Sequence, residues 1–286
     1  MPTTIGIDIG GTRMRAARVS ACGNIEAFKA TATPRSVETV IAALDLLIAS
    51  VDGEDASSIG VGVPGRVDSL TGKILSGGFV DLSGVSLGDR LQTRKDRPIV
   101  VGNDAGMALV AEAAIGAAAG LKHVVLLTIG TGIGGAVMID GRIYHGRLGA
   151  GQLGHITVNA GGEPCLCGRR GCLETMSSGS ALRRLMTARG FAHTDSIEDL
   201  LRLRDTAALN VLRDWALPLR AGIDSLVAAF DPERVVLGGG LGAAAVAALT
   251  EFPALSPWFQ CETVAATCGD EAGVIGAALA SISPAP

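Results

Sequence analysis

One histidine and three cysteines fall within eighteen residues of this chain: His155, Cys165, Cys167 and Cys172, with glycines between them. An imidazole and three thiols at that spacing make a closed, tetrahedral Cys₃His shell for Zn²⁺, which suits a structural metal. Ordinary buried thiols have no reason to gather around a histidine in a glycine-rich, strand-poor stretch. A disulfide is disfavoured as well, because no secretory leader precedes Ile5 and the other cysteines, Cys22, Cys261 and Cys268, are scattered. Gln152 and Glu174 stand on either side of the ligands. The loop folded by the metal would therefore also present polar groups to a substrate.

Two further stretches could handle phosphate. Asp8-Ile9-Gly10-Gly11-Thr12 and Thr128-Ile129-Gly130-Thr131-Gly132 each place a glycine turn directly after an apolar strand. Without a Cβ in the way, backbone N–H groups there can approach an anion closely. Each turn alone is also what an ordinary hairpin would use; the pair together could clamp one polyphosphate from two sides. Asp8 is a carboxylate on an apolar strand, a costly placement unless it is compensated. Mg²⁺ with bound phosphates, or its water shell, would account for it. A third turn, Gly238-Gly239-Gly240, suits the face of a nucleotide base or its ribose through Gly239 and Gly240.

Asn103-Asp104 lies where a strand meets a helix. Both residue types are favoured helix N-caps. Beside two phosphate loops, Asp104 reads instead as the general base that takes a proton from an attacking hydroxyl. Phosphoryl transfer asks a protein mainly for positioning and electrostatics, plus one group to orient the nucleophile. Asn103 can hold a neighbouring hydroxyl as donor or acceptor.

The elements that position these groups follow from periodicity. Thr4–Ile9, Met14–Val19 and Ile25–Thr31 read as an antiparallel meander. Ser36 caps a helix through Ser50, with Val37, Val40, Ile41, Leu44, Leu47 and Ile48 at helical spacing. Strands are expected at 59–63 and 99–101, and an Ala-rich helix from Ala105 to Ala119. The second half repeats the plan, with strands at 124–128 and 136–139, a turn at Gly141, a helical run from Gly179 to Phe230, a strand at 234–237, and helices at 243–249 and 272–281. Strand, glycine turn, strand thus occurs twice, and an internal duplication is the economical reading. A boundary near residues 105–120 would put Asp104 in the crevice between two lobes, where ligands commonly bind.

Composition narrows the class. The chain has 286 residues, 48% of them hydrophobic but only 3% aromatic, so its core must be aliphatic. A formal charge of -4 argues against nucleic acid as a partner. The longest apolar runs, at 124–129 and 243–249, are far below the roughly 18–20 residues that span a bilayer, so no membrane partner is expected. A cytoplasmic, reduced protein is the expectation.

Taken together, Asp8-Ile9-Gly10-Gly11-Thr12, Asn103-Asp104, Gly154-His155 and the run from Cys165 through Gly168 and Gly171 to Glu174 resemble the signatures of the ROK family of bacterial sugar kinases and repressors. The resemblance implies an α/β fold of the two-lobed actin-like (hexokinase/ribonuclease H-like) ATPase type. Residues 1–115 would form the first lobe, with helix 272–283 packing back on it, and residues 116–271 the second. It implies ATP and Mg²⁺ as cofactors beside the structural Zn²⁺, and transfer of the γ-phosphoryl group to a hexose hydroxyl, usually the 6-hydroxyl of glucose or a related sugar. By position Asp104 matches the catalytic base. Asn103, His155 and Glu174 match sugar contacts, and Gly65 the first lobe's approach to the sugar. Asp8, Gly10, Gly11, Thr12, Thr131, Gly132, Gly239 and Gly240 fall on the nucleotide side. His155 would serve twice, one ring nitrogen on zinc and the other on a sugar hydroxyl.

Gln152 departs from the family's Glu-x-Gly-His pattern. Glutamine keeps an acceptor, adds a donor and removes a charge, which bears on sugar identity. An N-acylhexosamine kinase, for N-acetylmannosamine or N-acetylglucosamine, is therefore the alternative within the enzyme class, and segment 77–91 is expected to wall the sugar pocket. A sugar-sensing repressor or non-catalytic relative is the alternative outside it. It is disfavoured because strand one begins at Thr4 without a preceding DNA-binding helix pair. The family also implies a homodimer or homotetramer.

Overall fold

Along strand β1 (Thr3–Ile9), Ile5, Ile7 and Ile9 share one face and Gly6 and Asp8 the other, as the two-residue period of a strand requires. The computed structural model describes residues 2–68, 70–76, 81–92, 97–192 and 196–282. It pairs β1 with β2 (Arg13–Ser20), β2 with β3 (Ile25–Ala32), and continues through β4 (Ala56–Val63) to β7 (Ile99–Asn103) in the order β3-β2-β1-β4-β7. The first three strands run antiparallel and β4 and β7 join in parallel. Helix α1 (Val37–Val51), closed at its start by a Ser36/Thr39 capping box, covers the isoleucine face.

Helices α3 (Asp104–Ile115) and α9 (Ala272–Ala280) cover the opposite face. Glycine makes that contact possible. A Cβ on Gly6 would stand 1.8 Å from the Val274 carbonyl oxygen, and one on Gly60 1.8 Å from that of Ala277. The backbone of α9 therefore rests directly on the sheet. Gly60→Ala is expected to destabilise the protein by at least about 1–3 kcal/mol through overpacking, read as a lowered urea midpoint; an unchanged midpoint would contradict this packing.

The Ala-rich helix stops at Ile115 instead of reaching Ala119. The cause is Glu112, which is fully buried. Its carbonyl accepts from the N–H groups of Gly116 and Ala118, while its carboxylate takes Ala117 N at 2.7 Å and Cys268 N at 2.8 Å. The Gly116 bond is the last helical one, and the bonds made by Ala117 and Ala118 replace those that would continue the helix. Burial, then the Glu112 carboxylate, pushes the Cys268 thiol up to about 12.

The second sheet repeats the first. Strands β8 (Val124–Ile129), β9 (Ile133–Ile139), β10 (Arg142–Ile143), β11 (Arg234–Gly238) and β12 (Thr263–Ala265) lie in the order β10-β9-β8-β11-β12, again with an antiparallel hairpin followed by parallel strands. The expected helical run 179–230 is three helices: α5 (Gly179–Ala188), α6 (Ile197–Leu203) and α7 (Thr206–Phe230). Gly190 at φ +78° ends the first, and Ser196 and Asp205 cap the next two. The aliphatic core of this unit closes around Trp215 of α7 and is flanked by α8 (Gly242–Thr250).

By contact the chain forms two units, Met1–Gly120 with Ile143–Gly151 and Cys268–Pro286, and Leu121–Arg142 with Gln152–Thr267. It changes unit after Gly120, Arg142, Gly151 and Thr267, whereas the sequence reading drew a boundary at 115 and another at 271. The hairpin β5 (Arg66–Val67) with β6 (Ile74–Ser76), the short helices α2 (Leu87–Gln92) and α4 (Leu173–Ser177), and β12 are additions to the elements expected from periodicity. Of the stretch 77–91, residues 77–80 lie outside the described residues. No helix among the described residues is long and apolar enough to cross a membrane.

Candidate functional site

In the first unit, β7 delivers Asn103 and α3 begins at Asp104, so the pair sits on a strand-to-helix corner. Asn103 is the cap, its Oδ1 accepting from Gly106 N at 3.2 Å. Its Nδ2 donates to the Gly65 carbonyl at 2.8 Å and to Asp104 Oδ1 at 2.9 Å. Asp104 Oδ1 also accepts from Ala105 N at 2.8 Å. The three residues expected at the sugar from this unit, Gly65, Asn103 and Asp104, are thus joined by hydrogen bonds, and the carboxylate plane is fixed. Burial raises the Asp104 carboxyl to about 6, against the pull of the Ala105 N–H and with the help of the nearby Asp8 charge. Such a group is ionised at neutral pH yet basic enough to accept a proton.

Asp8 is compensated by its neighbours. Burial raises its carboxyl and the Arg15 guanidinium opposes the rise, with Arg15 Nη1 donating to Oδ2 at 3.3 Å. A Cβ on Gly273 would lie 2.9 Å from Asp8 Cγ, so the carboxylate also rests against the first turn of α9, the favourable end for an anion. Arg15 was missed from the sequence, although the hairpin register that sets it opposite Asp8 was available there.

Both glycine turns are pinned through the N–H and carbonyl of their first glycine. In the first, Gly10 N donates to Arg13 O at 2.9 Å and the Gly10 carbonyl accepts from Thr33 Oγ1 at 2.6 Å. In the second, Gly130 N donates to Gly132 O at 2.9 Å and the Gly130 carbonyl accepts from Gly179 N at 2.8 Å. Among the described residues, the tip amides of Gly11 and Thr12 and those of Thr131 and Gly132 have no protein acceptor. Two adjacent N–H groups left open at a tight turn form an anion-binding concavity. The third turn packs on the end of β8: Gly239, at φ +75°, lies against Ile129, and Leu241 N donates to the Ile129 carbonyl at 2.9 Å. The space around Gly240 is open.

In the second unit, one ligand-capable atom from each of His155, Cys165, Cys167 and Cys172 lies within 4.8 Å of the others. Cys167 and Cys172 Sγ are 3.6 Å apart and Cys165 Sγ is 3.5 Å from His155 Nδ1. Thiolates on a tetrahedral zinc at ~2.3 Å would be separated by roughly 3.8 Å, so the donor set fits that ion. Burial and the neighbouring thiols push Cys172 up to about 12. Without a cation this cluster would resist holding three thiolates. Nδ1 is the ring nitrogen turned to the cysteines, which leaves Nε2 on the other side of the ring. Gln152 precedes the 3₁₀ turn Leu153–His155, and its side chain makes no capping bond there.

Glu174, the last expected sugar contact, lies in the first turn of α4 directly after Cys172. Its Oε2 accepts from Ile133 N at 2.8 Å, so it reaches the second glycine turn. Neither Ile133 nor Ser180, whose Oγ donates to the Thr131 carbonyl at 2.8 Å, carries a sequence signal for this role.

A family model described as "ROK family" matches residues 4–282. The chain belongs to the ROK family. This ROK protein is 33% identical over 305 residues to a glucokinase of Halalkalibacterium halodurans, covering 95% of this chain and 92% of that one. It is 31% identical over 288 residues to N-acetylmannosamine kinases of Haemophilus influenzae, covering 96% and 93%. Among solved structures it superposes with TM-score 0.84 on a ROK family glucokinase of Streptomyces griseus in complex with glucose and AMPPNP, at 32% identity over 98% of this chain and 99% of that one. The fold of this ROK protein is accordingly the actin-like, hexokinase-type α/β ATPase fold.

Proposed function

We propose that the protein is an ATP-dependent hexose kinase in which Asp104 acts as general base. The observation that carries this reading is the Gly65–Asn103–Asp104 corner, with a carboxyl raised to about 6 and locked in orientation by two hydrogen bonds. Asp104 accepts the proton of the sugar 6-hydroxyl as that oxygen attacks the γ-phosphorus. The bond from phosphorus to the bridging oxygen breaks, and ADP leaves. Asn103 and the Gly65 turn orient the base and the hydroxyls beside it. The open amides of Gly11, Thr12, Thr131 and Gly132 hold phosphate oxygens, and Gly239 and Gly240 admit the nucleoside. Mg²⁺ supplies charge neutralisation on the phosphates when bound, and Asp8 is the carboxylate suited to it or to its water shell.

On the sugar side, His155 Nε2 and Glu174 hold hydroxyls, and His155, Cys165, Cys167 and Cys172 would hold a zinc ion that orders the loop carrying them. Gln152 sets the substrate. A carboxylate can accept from two sugar hydroxyls, whereas the amide accepts from one and donates to another. An N-acylhexosamine, whose acetamido group offers both a carbonyl and an N–H, gives such an amide a complementary partner, and the Haemophilus relatives support that second reading. An ATP-coupled panel of glucose, mannose, N-acetylglucosamine and N-acetylmannosamine tests the kinase assignment, and no turnover with any hexose would defeat it. In the same panel Gln152→Glu is expected to shift the kcat/KM ranking toward glucose. An unchanged ranking would remove Gln152 from substrate choice.

A further inference from the structure

Beside the sugar contact proposed for it, Glu174 is bonded within the protein. Its Oε2 takes the N–H of Ile133, the residue that closes the second glycine turn. A Cβ on Gly132 would sit 2.3 Å from the same oxygen, so the turn and the carboxylate are packed against each other and a side chain there would have to displace the carboxylate. The helix that holds Glu174 is itself immobilised. Cys172, a member of the thiol cluster, is its N-cap, and Leu173 is fully buried against Gly222 of α7. Ser177 Oγ donates to the Trp215 carbonyl at 2.7 Å, and Trp215 Nε1 returns a bond to the Ser178 carbonyl at 3.0 Å. Two residues further on, Gly179 N and Ser180 Oγ bind the carbonyls of Gly130 and Thr131 at 2.8 Å each. The metal cluster, α4 and the phosphate turn are one mechanical piece.

We infer that Glu174 is a positioning residue of the phosphate-binding turn as well as a sugar contact: Oε2 fixes Ile133 N, and with it the open amides of Thr131 and Gly132, while Oε1 is left for a sugar hydroxyl. A charge-assisted bond to a backbone N–H is short and strong, and it holds the turn in its anion-binding shape before either substrate arrives. A sugar hydroxyl on Oε1 would further restrain the carboxylate. Sugar binding would therefore tighten the phosphate turn through a single side chain.

This inference rests on the kinase reading, and the measurements separate the two. ATP affinity is measured without sugar, by calorimetry, for wild type, Glu174→Ala and Glu174→Gln, with zinc content and Tm as checks on folding. Glu174→Ala is expected to weaken ATP about tenfold or more. Glu174→Gln, whose amide oxygen can still accept from Ile133 N, should keep ATP within about threefold of wild type. With nucleotide absent, it should bind the preferred sugar at least tenfold more weakly. Unchanged ATP affinity in the alanine variant, or equal losses in both variants, would overturn the inference and leave the kinase reading standing. Wild type without affinity for ATP would overturn both. A measurement on wild type covers the case in which the alanine variant does not fold. Hydrogen exchange of the Ile133 amide should slow several-fold when the preferred sugar is added without nucleotide, and an unaltered rate counts against the coupling.

Discussion

Asp104→Asn is expected to lower kcat by about 10²–10⁴-fold, the usual worth of a positioned general base, while the Kd for sugar changes little. The substitution keeps the geometry. Asparagine Oδ1 can still accept from Ala105 N and Asn103 Nδ2, so the corner built on Gly65 survives and only the proton acceptor is lost. In wild type kcat/KM should fall tenfold per unit below about pH 6, where the Asp104 carboxylate becomes protonated, and the residual activity of the variant should lack that limb. Stability should move the other way. The folded carboxyl binds its proton more tightly than the ordinary value of 3.8, so the stability it contributes is fully present below 3.8 and is lost as pH rises through about 6, where the buried group becomes charged. Removing the charge should therefore stabilise the protein at pH 7 by about 1–3 kcal/mol. A variant with near-normal turnover would end the base assignment. One that loses activity together with its fold would show that Asp104 is structural.

Removing one metal ligand is the second large effect. Purified protein is expected to hold one zinc per chain, and Cys167→Ala to lose most of it. Structural zinc contributes roughly 10–16 kcal/mol of apparent binding energy over four ligands, so one ligand is worth about 3 kcal/mol, most of it folding energy of the loop. Cys167 is the exposed member of the cluster, and its loss leaves no cavity in the core. Any fall in Tm would thus report the metal rather than packing. Sugar affinity should drop because His155 loses its anchor. Chelator treatment of wild type should reproduce the phenotype, and zinc should reverse it. Full activity in metal-free protein would refute a structural role for the ion.

Much of this was legible in the residues. Buried strands ending in glycine turns are strong local signals, and β1, β2, β8 and the start of α1 at Ser36 follow from apolar runs, turn residues and capping. The Cys₃His cluster was legible because its members are close in sequence. Groups that meet only in three dimensions were not. The end of α3 depends on a carboxylate capturing the N–H of Cys268, 156 residues away, and no periodicity announces that. Glu174 carried a family role at the sugar, yet its bond to Ile133 spans 41 residues and depends on how α4 packs on Trp215. Arg15 lay between these cases, since the register of a short hairpin already pairs it with Asp8.

The glycine contacts of α9 set an order of events during synthesis. Gly6 and Gly60 present bare backbone on one face of the first sheet, and the helix that covers it leaves the ribosome only after every residue of the second unit. At ~5–20 residues per second, the second unit can close its core around Trp215 while the first still waits. The half of the chain made first is thus the half that finishes last, because Gly6 and Gly60 meet their partner backbone only when α9 emerges.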